Sequence, residues 1–213
     1  MLGRPSGGRV KSYAAYFVPG AKRDLAARLF GSGRLLANTE SIPGTDWVVC
    51  NYKPDAAPPD DEVLCGRASL AQARSMDLGE LIFLFADTRP DSFVYEHALG
   101  GVLRRKLVWS LLDEWTAAWL CVIGAPEAWE AAAFFRPERL SLTIEDERAL
   151  FADRGDSGAF PAREAEIRRV WSAQEIAPRN TIPRCDGSVA LAVEEHFNLR
   201  RPERARTGGP TTG

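Results

Sequence analysis

Hydrophobic and polar positions change their period several times along the chain, and each change marks an element. Residues 12–18 (SYAAYFV) read as a strand, stopped by the turn pair Pro19-Gly20. Over 22–30, Leu25, Leu29 and Phe30 fall at helical spacing, and Gly31 stands where a helix C-cap belongs. Residues 46–52 (DWVVCNY) read as a second strand, and 53–61 as a loop rich in Pro, Asp and Ala. Asp60-Asp61-Glu62 is an acidic cluster of the kind that favours a following helix N-terminus. Residues 68–78 favour helix.

The densest pattern runs from Gly79 to Phe135. Residues 81–86 (LIFLFA) form a short, unbroken apolar run, as expected of a central strand buried on both faces. A turn follows at 87–91 (DTRPD) by composition. Residues 92–99 and 102–110 are strands on either side of Gly100-Gly101, a hairpin signal because both glycines can take φ > 0. Asp113-Glu114 makes the next turn and 115–123 the next strand. Pro126 suits the first turn of a helix that runs through Trp129, read as a core anchor, to Phe135. Beyond it, 137–151, 163–176 and 189–199 read as helices, with 153–161 and 177–187 as loops. Few long parallel βαβ units can be drawn from this order. The expected class is α+β, with a mainly antiparallel sheet, a β-meander at about 81–123 and a helical C-terminal part. The expected organisation is a flexible leader (1–10), an α+β core (11–151), a helical extension packed on it (152–199) and a disordered tail (200–213).

A two-residue turn at Gly100-Gly101 fixes a register. It sets His97 opposite Arg104, Glu96 opposite Arg105 and Tyr95 opposite Lys106. Alternation then puts Glu96 and Arg105 on one face with Val94, Ala98, Leu103, Leu107 and Trp109. That face reads as core crossed by a structural ion pair, Glu96–Arg105, worth ~0.2–1 kcal/mol as a cross-strand pair. The other face gathers Tyr95, His97, Arg104 and Lys106. It is an ordinary solvated outer face, or else a site for an anion or a carboxylate-bearing partner. Arg104 beside His97 would lower the imidazole pKa.

Composition narrows the class. The chain has 213 residues, 45% hydrophobic and 26% charged, which fits a soluble globular protein. A net charge of −2 gives no general pull toward nucleic acid or anionic membrane. Of 27 basic residues 23 are Arg, a bias that points to a GC-rich, bacterial genome. Cys50, Cys65, Cys121 and Cys185 lack C-x-x-C spacing and only two histidines accompany them, so a zinc site is not expected, and free thiols in a reducing, cytoplasmic setting are. Gly, Pro and Ser interrupt the N-terminus where a signal peptide needs an apolar core, and no run reaches the ~20 apolar residues of a membrane span.

Other signals are weak. Glu194-Glu195-His196 resembles part of a carboxylate–metal motif, but adjacent residues do not share a helix face. Gly31-Ser32-Gly33 lacks phosphate-loop spacing, and Ser157 has no histidine placed beside it by the sequence. Arg154-Gly155-Asp156 is read as a chance tripeptide, and the Arg200–Arg206 stretch as a solvated tail.

The segments FVYEH (from Phe93), GVLRR (from Gly101) and PEAWE (from Pro126) resemble a group of uncharacterised bacterial proteins over roughly 79–135. The resemblance implies no activity. The functional expectation is a non-enzymatic binding or protein-interaction module without cofactor, engaging a protein partner or a small anionic ligand. The alternative is a small-molecule-binding protein or enzyme with a pocket on the sheet. Catalytic residues and metal ligands are not assigned.

Overall fold

The computed structural model describes residues 12–32, 36–87, 92–113 and 116–202. The leader, part of the 87–91 turn, Trp115, Gly33 and most of the tail lie outside them.

The fold is α+β. Among the described residues seven strands form one antiparallel sheet: β1 (Ser12–Pro19), β2 (Thr39–Ser41), β3 (Trp47–Pro54), β4 (Glu80–Asp87), β5 (Ser92–Leu99), β6 (Val102–Leu111) and β7 (Ala117–Gly124). Their order is β2-β3-β1-β4-β5-β6-β7. β4 is central, and its alternation loads both faces: Leu81, Phe83 and Phe85 point one way, Ile82, Leu84 and Ala86 the other, all buried.

Three short helices cover the first face. They are α1 (Arg23–Leu29), α2 (Asp61–Leu64) and α3 (Gln72–Leu78), whose segments bring Ala26, Phe30, Val63, Ala71 and Leu78 against Phe83, Phe85, Val94 and Val108. The acidic cluster starts α2, where the Asp60 carboxylate accepts the Val63 N–H at 3.1 Å. Four helices cover the second face: α4 (Ala128–Phe134), α5 (Pro137–Asp153), α6 (Phe160–Ala173) and α7 (Gly187–His196). Trp129, Phe134, Ile144, Ile167, Val170 and Val193 join Tyr95, Leu107, Trp109 and Trp119 in one cluster there. The 151/152 position falls inside α5, and α6 and α7 share the core of the sheet. Among the described residues no helix is long and apolar enough to cross a membrane.

The hairpin turn is the expected one, since Leu99 faces Val102 and both glycines have positive φ (57° and 84°). The register beyond it differs. Ala98 pairs with Leu103, but His97 pairs with Arg105, leaving Arg104 as an extra residue in β6. This β-bulge moves every later pairing by one. Glu96 faces Lys106 and Tyr95 faces Leu107. The expected faces are therefore corrected: Arg105 lies with Tyr95 and His97 toward α4–α7, and Lys106 lies with Glu96 toward α1–α3. Gly124 fits the bulge closely, because a Cβ there would sit 1.8 Å from the Arg104 carbonyl oxygen.

Candidate functional site

The bulge divides the hairpin's polar groups into two buried clamps. Toward α3, the Lys106 ammonium lies 3.0 Å from Glu96 Oε1, and both side chains are fully buried. The other carboxylate oxygen, Oε2, accepts the Ser69 hydroxyl at 2.8 Å and the backbone N–H groups of Leu70 and Ala71 at 2.7 and 2.9 Å. Lys106 also donates to the Ala68 carbonyl. One strand carboxylate thus secures the segment entering α3, where a negative charge suits the unpaired N–H groups of a helix start.

Toward α4 the second clamp is larger. Glu127, the N-cap of α4, accepts from the Tyr95 hydroxyl and from Trp129 Nε1 (2.8 Å) on Oε2. Its Oε1 lies 2.6 Å from His97 Nδ1, and Glu80 Oε1 lies 3.0 Å from His97 Nε2. Facing both ring nitrogens with carboxylates favours the doubly protonated imidazolium. Burial alone would lower the His97 pKa, but the hydrogen bonds and charges of Glu127 and Glu80 outweigh it and raise it. This overturns the lowering expected from an Arg104 neighbour. Burial likewise opposes ionisation of Glu127, yet donation from His97, Tyr95 and Trp129 brings its pKa below the ordinary value. Burial and the adjacent Glu127 charge push the Tyr95 phenol well above its usual range.

Arg105 completes this clamp. Its Nε and Nη2 donate to the two oxygens of Glu130 at 2.8 and 2.6 Å, and Nη1 donates to the Gly124 carbonyl at 2.6 Å. The expected Glu96–Arg105 ion pair is therefore replaced by two pairs, Glu96–Lys106 and Arg105–Glu130. The FVYEH, GVLRR and PEAWE segments meet here, but their polar groups are spent on one another. Of the four residues expected to share one ligand face, Tyr95 and His97 stay together, Lys106 lies on the opposite face and Arg104 is exposed in the bulge.

The Glu194-Glu195-His196 run does not converge either. Glu194 is buried and accepts the Tyr13 hydroxyl at 2.6 Å, while Glu195 and His196 are exposed. Among the described residues no group of three His, Cys, Asp or Glu is placed to hold a metal ion.

A cleft of about 650 Å³ opens on the α4–α7 side, where α5 and α6 leave part of β6 and β7 uncovered. Trp109, Leu111 and Ala117 line it from the sheet, and Leu150 and Phe151 line it from α5. Three arginines reach it: Arg154, Arg163 and Arg184. Arg163 has all three of its nitrogens engaged, donating to Glu147 (2.8 Å), Glu166 (2.8 Å) and the Thr181 hydroxyl (2.7 Å). Arg184 places Nη2 2.7 Å from the other Glu147 oxygen. Burial alone would raise the Glu147 pKa, but these two guanidiniums bring it below the ordinary carboxylate value. Arg154 is exposed at the rim and has no ion-pair partner among the described residues. Cys185 also lines the cleft, but burial pushes its thiol far above the range of a reactive nucleophile.

Sequence reasoning missed this site because its arginines come from the end of α5, from α6 and from the segment before α7. No short motif joins them. Comparison with protein-family models, curated proteins and solved structures returns no match.

Proposed function

We propose that the protein is a non-catalytic binding module of the bacterial cytoplasm, and that its ligand site is the cleft between α5, α6 and the β6–β7 side of the sheet. One observation carries this reading. The cleft joins apolar lining residues to guanidinium groups that still have unused N–H donors, whereas on the hairpin Tyr95, Glu96, His97, Arg105 and Lys106 are committed to internal partners. Its volume lies within the ~300–1,000 Å³ common to small-molecule sites.

The test is amide chemical-shift mapping on the full ¹⁵N-labelled chain with neutral, cationic and anionic fragments. Shifts gathered at Leu111, Ala117, Phe151 and Thr181 are the expected result. Shifts gathered around Tyr95 and His97, or no fragment shifting any amide, would overturn the reading.

A second reading, a protein-interaction module, has its own observation. Met76, Leu99 and Val102 are exposed by 74%, 41% and 54%. Leu99 and Val102 face each other at the hairpin tip, and Met76 lies against the turn glycine Gly101. Such a surface suits an apolar partner. A partner complex that survives Met76→Asp and Val102→Asp together would remove this reading.

A further inference from the structure

Resting on the cleft reading, we infer that the cleft selects small organic monocarboxylates, with Arg154 and Arg184 holding the carboxylate while Leu150, Phe151 and Ala117 enclose the apolar part.

Among the described lining residues there are three guanidiniums and one carboxylate, Glu147. Both Glu147 oxygens are occupied, one by Arg163 and one by Arg184. Glu166 takes a further Arg163 nitrogen, so Arg163 has little left to offer a ligand. Arg184 keeps Nε and Nη1 without a hydrogen bond among the described residues, and its side chain is half exposed at 49%. Arg154 keeps its whole fork. Asp153 and Asp156 stand near it in the chain, but neither forms an ion pair with it.

Two planar forks with free donors match one carboxylate, and a guanidinium binds that group in a bidentate manner. The same arrangement disfavours a doubly charged phosphate. Glu147 remains ionised beside Arg184, and a dianion brought to that guanidinium would face its repulsion. The walls decide the rest of the ligand. A wholly polar anion would leave the half-buried Leu150, Phe151 and Ala117 in water, whereas an aromatic or aliphatic body covers them.

Isothermal titration of the full chain with matched acid and amide pairs tests this: phenylacetate, indole-3-acetate and 4-phenylbutyrate against their primary amides, with inorganic phosphate as competitor. At least one acid is expected to bind, with its amide weaker by on the order of tenfold, the loss of a charge-assisted hydrogen bond. Arg154→Gln, at an exposed position that leaves the fold intact, is expected to weaken the acid similarly. Arg184→Gln should do the same, and millimolar phosphate should not displace the acid. Equal binding of acid and amide, or acid binding unchanged in Arg154→Gln, would overturn the carboxylate assignment while leaving the cleft as the site. If no acid binds and fragment shifts fall elsewhere, the cleft reading fails with it.

Discussion

Lys106, rather than Arg105, stands opposite Glu96, and the two fully buried side chains meet at 3.0 Å. One extra residue in β6 makes this so. It sends Lys106 to the α3 side and frees Arg105 to grip Glu130 on the other. The hairpin thereby fastens a helical segment to each face of the sheet.

The pair should be expensive to break from either end. Lys106→Met leaves the Glu96 carboxylate buried with its neutral donors alone and is expected to cost roughly 3–5 kcal/mol. The double variant Glu96→Gln, Lys106→Met should recover part of that loss, because no uncompensated charge remains. Urea denaturation of the two variants checks this. A single-variant cost below ~1 kcal/mol, the size of an exposed pair, would contradict it.

The His97 clamp should give stability a defined pH window. Its folded pKa is raised above the ordinary 6.5, so its contribution is complete below 6.5 and is lost as pH rises through the folded value. Glu127 is shifted the other way. Its contribution is present above the ordinary 4.5 and is lost as pH falls through its lowered folded value. Thermal unfolding between pH 5 and 9 should show wild type losing ground on His97→Gln as pH climbs. A constant difference across that range would contradict the assignment of His97 as charged.

Gly124 should tolerate no side chain. Its φ is +83°, and a Cβ would fall 1.8 Å from the Arg104 carbonyl oxygen, which is backbone and cannot swing aside. Gly100 has φ +57° with nothing within 4 Å. Gly100→Ala should therefore cost only the left-handed penalty of about 1–2 kcal/mol. Gly124→Ala should cost clearly more, measured by denaturant midpoint on both. Equal losses would mean that the bulge yields easily.

The four thiols should separate sharply. Cys65 is exposed, while Cys50, Cys121 and Cys185 are buried. Burial pushes the Cys50 thiol up to about 12 and raises Cys121 and Cys185 as well. At pH 8 an aromatic disulfide reagent should modify Cys65 quickly and the other three only after denaturation. Rapid modification of a second thiol in the folded chain would contradict the packing.

Most of the architecture was legible in the sequence. The apolar run 81–86 predicted a strand buried on both sides, and β4 is that strand. Gly100-Gly101 predicted the hairpin turn, and the turn forms. The register failed because Glu96 has a cation within reach at 105 and at 106, so charge pairing could not reveal a bulge between them. β2 was missed because three residues, Thr39–Ser41, carry too little alternation to register. The clamp partners Glu80, Glu127 and Glu130 come from outside the hairpin, and only the fold brings them in. The cleft was illegible for the same reason: Arg154, Arg163 and Arg184 meet through the packing of α5 and α6 on the sheet.

The most direct test of where this protein binds is a titration of the tightest acid found for wild type against two variants. Arg154→Gln removes a cleft cation, and Arg104→Gln removes the exposed cation of the hairpin bulge. The account expects Arg154→Gln to weaken binding by on the order of tenfold and Arg104→Gln to leave it unchanged. Loss in Arg104→Gln with full binding in Arg154→Gln would place the site on the hairpin and contradict the account.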